Sequence, residues 1–129
     1  MNRSHDLARA LLQKARDDAY VVQRGAADPA YPDWVIGFHA QQAVEKAIKS
    51  VLCHNSIEYP HSHNIGLLAA LAGDHGLTPP PQAPDLSRLT VFGAVLRYET
   101  GLGEDSPLDR AWAQARVQAV LTWAAASLA

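Results

Sequence analysis

A single cysteine, Cys53, in 129 residues excludes an internal disulfide and the stapled frameworks of small secreted domains. Its place at the end of an apolar helical run favours a packed side chain over a reactive thiol, although His54 stands beside it. No window approaches the roughly 18 uninterrupted apolar residues that a membrane span requires. The start, Met1 to Asp6, is polar and lacks the charged-then-apolar layout of a signal peptide, so a cytoplasmic address is expected. A net charge of −2 gives no general pull on polyphosphate backbones, so any nucleic-acid contact must be local. Alternating, β-branched-rich runs between turn residues are nearly absent, which leaves little basis for strands. The remaining 48% hydrophobic and 19% charged residues suit one soluble domain over residues 1–129, long enough to bury a core unaided.

Helical spacing is what fills the chain. A first helix is predicted from the cap candidate Ser4 to about Arg24, with Leu7, Leu11, Ala15 and Val22 inward and Gly25 closing it. Pro32 and Asp33 open a second helix that runs to about His54 and Asn55. Asn64 offers a cap for a shorter third helix with Ile65, Leu67, Leu68 and Leu71 as its apolar residues, ended by Gly73 or Gly76. Four prolines between Thr78 and Pro84 forbid continuous helix and make a stiff connector. A fourth helix is predicted over Asp85 to Thr100, with Leu86, Leu89, Phe92 and Leu96 inward, before Gly101-Leu102-Gly103 breaks it. The fifth starts at Ser106-Pro107 and carries Leu108, Trp112, Ala115, Ala119 and Trp123 on one face. Four long helices, one short one and brief connections predict an all-α, antiparallel four-helix up-and-down bundle with an additional short helix.

Within the second helix, Gln41 and Glu45 interrupt a stripe otherwise made of Trp34, Phe38, Ile48 and Leu52. Positions 34, 38, 41 and 45 follow i, i+4, i+7, i+11 and share a face. A carboxylate there must be paired, hydrogen-bonded or protonated, because desolvating it bare costs on the order of several kcal/mol. Glu45 therefore demands a partner elsewhere in the chain. Ala40, Val44, Ala47 and Val51 form a second, small-residue face, while Gln42, Lys46 and Lys49 make a polar ridge open to solvent or a ligand.

Three blocks in order, Phe38-His39-Ala40-Gln41-Gln42-Ala43-Val44-Glu45-Lys46-Ala47-Ile48-Lys49, Tyr59-Pro60-His61-Ser62-His63-Asn64-Ile65 and Leu96-Arg97-Tyr98, resemble the HEPN domain family over nearly the whole chain. That resemblance implies a helical bundle, usually homodimeric, commonly encoded beside a minimal nucleotidyltransferase and working in toxin-antitoxin or other defence systems. No cofactor is expected. Many relatives are metal-independent ribonucleases whose signature is an Arg followed within a few residues by a His. Here Arg97 is followed by Tyr98, Glu99, Thr100, Gly101, Leu102 and Gly103, and no histidine comes after it. RNA cleavage through the 2′-hydroxyl needs a proton acceptor and a group that stabilises the phosphorane charge. Arg97 alone supplies only the second, so the expectation is a non-catalytic nucleotide-binding or regulatory partner of a nucleotidyltransferase. The alternatives are a ribonuclease toxin using Arg97 with His63 or His39 displaced into the missing role, and a purely structural dimerisation module.

The candidate residues follow from that frame. Arg97 is the cation expected to pair with Glu45, fixing how the second and fourth helices dock while leaving donors for an anion. Lys46, Lys49, His63, Arg97 and His39 form the expected nucleotide or anion site, against the plainer reading of Gln42, Lys46 and Lys49 as a solvated face. His63 has capping of the third helix as its structural reading. His61 and His63 form a His-x-His pair, but no metal site is expected. Trp112 and Trp123, eleven apart, read as core or dimer interface rather than base-stacking platforms.

Overall fold

The computed structural model describes residues 3–93 and 107–129. Among them are five α-helices, one 3₁₀ helix and no strand, so the described residues are all-α as expected. The helices are α1 (Arg3–Ala26), α2 (Asp33–His54), α3 (Ile65–Asp74), α4 (Ala83–Leu86) and α5 (Arg110–Leu128), with the 3₁₀ helix (Ser87–Phe92) directly after α4. None of these helices is long and apolar enough to cross a membrane.

The three long helices pack on one another, and α2 lies at the centre, touching α1, α5, α3 and the 3₁₀ helix. Its apolar residues on several faces, Ile36, Ala40, Val44, Ile48, Val51 and Leu52 among them, are all buried. This is why one sequence segment showed two apolar faces: the helix has neighbours around most of its circumference. The antiparallel register of α1 on α2 is pinned at both ends. The His5 and His54 rings stack with centroids 4.2 Å apart, and Cys53 Sγ donates to the Ser4 carbonyl. At the other end Gly25 sits so close to Tyr31 and Ile36 that an added Cβ would lie about 3 Å from both. Burial pushes the Cys53 thiol up, which keeps it protonated and suits the packing role.

Several expected faces are rotated. In α1 the buried stripe is Ala8, Leu12, Ala15, Ala19 and Val22, whereas Leu7 is 51% exposed and Leu11 half-buried. The short alanines occupy the contact and the bulkier leucines flank it. Gly25 does not end α1 but lies inside it, buried, with the helix continuing to Ala26. In α3 the Asn64 side chain accepts from Leu67 N–H as a cap should, and Gly76 (φ +79°) takes the left-handed turn after the helix. Leu67 is 44% exposed, while Ala69 and Ala72 join Ile65 and Leu68 inside.

The predicted fourth helix begins as the short α4 and continues as the 3₁₀ helix to Phe92, and its later part lies outside the described residues. Leu86, Leu89 and Phe92 are buried as expected, and their spacing of three matches the three residues per turn of a 3₁₀ helix. α5 is capped by Asp109, which accepts from Trp112 N–H, three residues later than the predicted start. Its buried stripe is Ala113, Val117, Val120 and Ala124, not the line through Trp112, Ala115, Ala119 and Trp123. The two tryptophans edge the core half-buried, because each indole N–H needs a partner: Asp85 Oδ2 for Trp112 and the Thr78 carbonyl for Trp123.

Arg110, at the start of α5, fastens that helix to the α1–α2 connection. Its guanidinium donates to Asp33 Oδ1 and to the carbonyls of Gly25, Asp28 and Tyr31, satisfying the C-terminal end of α1. A closer contact still joins α2 to the 3₁₀ helix, where a Cβ on Gly37 would come within 2.5 Å of the buried Phe92 ring. Gly37→Ala forces that ring or the backbone to move. Chemical denaturation is expected to show a loss of about 1–3 kcal/mol, and unchanged stability would contradict the close packing described.

Candidate functional site

Two carboxylates, one buried and one partly buried, organise the polar side of α2. Glu45, 3% exposed, accepts from Gln41 Nε2 at 2.9 Å, one turn earlier, and from Lys49 Nζ at 3.2 Å, one turn later. His63 Nδ1 reaches the same carboxylate at 2.9 Å from the loop before α3. Gln42 extends the chain by donating to Gln41 Oε1 at 2.8 Å. Helical spacing explains the first two partners, since i−4 and i+4 share a face with i. The third is positioned by the loop: Ser62 Oγ accepts from Asn64 N–H, and Asn64 caps α3. Capping thus belongs to Asn64, and His63 is spent on Glu45 instead.

The second centre is Asp18 of α1, which accepts from His39 at 2.9 Å and from Lys46 Nζ at 2.7 Å across the helix pair. Burial alone raises the Asp18 carboxyl, but the hydrogen bonds and charges of His39 and Lys46 outweigh it and hold it below its ordinary value. Asp18 is not part of the motif blocks. Its signal in the sequence is modest: it stands three residues after Ala15 and four before Val22, at the border of the buried stripe of α1.

Lys46 and Lys49 are therefore not a freely solvated ridge. Their side chains are 27% and 14% exposed, and each is paired with a carboxylate. An ammonium has three donors, so each lysine keeps hydrogens beyond the one its carboxylate takes. Lys49 also lies 5.7 Å from the Tyr59 ring centroid. Burial, reinforced by the nearby Cys53 and Glu45, raises the Tyr59 phenol and keeps it protonated. A carboxylate only accepts, so each histidine donates through Nδ1 and carries Nε2 as its other ring nitrogen. The His63 side chain is 59% exposed and that of His39 28%.

The structure brings together Glu45, Lys49 and His63, and separately Lys46 and His39 with Asp18. Arg97, and with it the expected Glu45–Arg97 pair, lies outside the described residues. Glu45 already has a lysine, a histidine and an amide as partners without it. Chemically the face offers preset N–H donors in a row, with fixed lysine charge balanced by fixed carboxylate charge, which suits recognition of a ligand having both anionic and neutral polar groups.

The Asp18 contribution to stability is complete above the ordinary value of 3.8 and is lost as pH falls through the lower value of the folded state. Urea unfolding of Asp18→Asn is expected to show a loss of about 1–3 kcal/mol at neutral pH and a shallower decline below pH 4 than the parent. Parallel pH profiles for the two proteins would contradict it.

The HEPN domain family matches residues 8–126 of the chain. Comparison with curated proteins and with solved structures gave no match.

Proposed function

Because the chain belongs to the HEPN domain family, we propose that it is a non-catalytic, nucleotide-binding or regulatory partner of a minimal nucleotidyltransferase in a toxin-antitoxin-like system, acting as a homodimer. The observation that carries this reading is the row of Lys46, Lys49 and His63 held at the edge of α2 by the carboxylates of Asp18 and Glu45. Held donors lose little freedom when a phosphate arrives, and that preorganisation favours binding over a solvated lysine row. The sequence around Arg97 supports a role without catalysis, since the histidine of the ribonuclease signature does not follow it.

One observation favours the second reading, a metal-independent ribonuclease using Arg97. His63, backed by Glu45 and with 59% of its side chain exposed, has the arrangement of a general base. In that reading His63 stands in for the missing histidine and Arg97 stabilises the developing charge.

Calorimetric titration with ATP is expected to show binding that weakens about tenfold or more in Lys46→Ala and in His63→Ala, with both variants folded. Coexpression with the neighbouring reading frame is expected to copurify a small nucleotidyltransferase. RNA cleavage by the purified protein that disappears in Arg97→Ala and His63→Ala would overturn the non-catalytic reading in favour of the second.

A further inference from the structure

On the face of the bundle where α1 meets α5, a groove of about 350 Å³ runs beside Arg16, Tyr20, Gln118 and Leu121. Gln23 links it to a neighbouring hollow of about 600 Å³ that includes Arg24, Asp28 and Gln114. Tyr20 is 59% exposed, and the Arg24 guanidinium lies 5.8 Å from its ring centroid. Among the described residues neither Arg16 nor Arg24 forms an ion pair with a side chain. That sets them apart from Lys46 and Lys49, whose charges are already met. The one carboxylate in the groove, Asp28, accepts from Ala30 N–H in its own turn.

The two walls follow helical rows. Arg16, Tyr20 and Arg24 stand at i, i+4 and i+8, a ladder about 12 Å long at 1.5 Å per residue. Gln114, Gln118, Leu121 and Ala125 stand at i, i+4, i+7 and i+11 on α5. At the foot of these rows Ala19, Leu121 and Ala125 form a floor that is apolar and mostly short-sided. A furrow between two helices with such a floor receives the side-chain ridge of a third helix, and a wall of Arg and Tyr is typical of the anchors that hold one.

We propose that the α1–α5 groove docks an acidic amphipathic helix of a partner protein, with small apolar side chains on Ala19, Leu121 and Ala125 and carboxylates on Arg16 and Arg24. Charge complementarity selects this occupant: Arg16 and Arg24, without an ion-pair partner among the described residues, line one wall, and the apolar floor suits aliphatic side chains. A single-stranded nucleic acid would call for more stacking rings and more cations than this groove provides. The proposal is independent of nucleotide binding on α2, because the two faces share no residue.

The test uses the full chain and a designed 21-residue helical peptide with glutamates at i, i+4 and i+8 beside a row of alanine and leucine, plus a twin with lysine at the glutamate positions. The glutamate peptide is expected to bind, to shift the NMR signals of Tyr20, Gln118 and Leu121, and to weaken with added salt. Arg16→Glu combined with Arg24→Glu is expected to cost at least about tenfold in affinity, with the circular dichroism spectrum unchanged, whereas Lys46→Ala leaves affinity as it was. No binding, equal binding of the lysine twin, or affinity unchanged in the double arginine variant would overturn the proposal. So would a labelled oligouridylate that shifts the same signals and displaces the peptide, or self-association of the chain that the double arginine variant abolishes, since each names a different occupant.

Discussion

A carboxylate buried in the central helix is the constraint around which this molecule is arranged. Glu45 cannot sit bare among Ile48, Leu52 and the residues that cover them, because desolvation disfavours its charged form by several kcal/mol on the usual order. The sequence answers within one turn on either side, with Gln41 and Lys49, and then draws in His63 from outside the helix. That third contact has structural reach. It fixes the loop that precedes α3, and the Asn64 cap then sets where α3 begins and how Ile65 and Leu68 enter the core.

The same device recurs at each junction of the long helices. Asp18 ties α1 to α2 through His39 and Lys46, and Arg110 ties α5 to the connection between them. Between these polar anchors the contacts rely on alanine and valine more than on large side chains, as in the stripes of α1 and α5. Small residues give close approach but little shape to define register. The anchors supply what the small residues leave open, since a shift of one residue between α1 and α2 would strip Asp18 of its partners inside the fold. Structure and candidate function thus share side chains: the lysines and histidines that would meet a ligand are the ones that hold the helices.

The helical class, the bounds of α2, the Asn64 cap and the inward set Leu86, Leu89 and Phe92 are legible from spacing and cap chemistry, which are local. What spacing misjudges is the face. The eye follows Leu7 and Leu11 or Trp112 and Trp123 because they are large, yet the contact surfaces of α1 and α5 are the alanine and valine lines beside them. The helices they pack against, distant in sequence, set that choice. The same holds for the site. Glu45 is recognisable as an anomaly from its own helix, and Lys46, Lys49, His39 and His63 as a candidate anion site, but nothing in the spacing gives Lys49 and His63 to Glu45 or Lys46 and His39 to Asp18. Asp18 itself is not recognisable, since its role exists only once α1 lies antiparallel on α2. The pairing of the lysines also reverses their meaning, from a solvated row to held donors.

If Glu45 is the organising charge, its partners are energetically coupled to it. A double-mutant cycle on unfolding free energy, with Glu45→Gln and His63→Ala singly and together, measures that coupling directly. The account predicts that the two changes are non-additive by about 1 kcal/mol or more, with His63→Ala costing little once the carboxylate is gone. Simple additivity within about 0.3 kcal/mol would contradict it, and would mean that His63 stands beside the buried carboxylate without holding it.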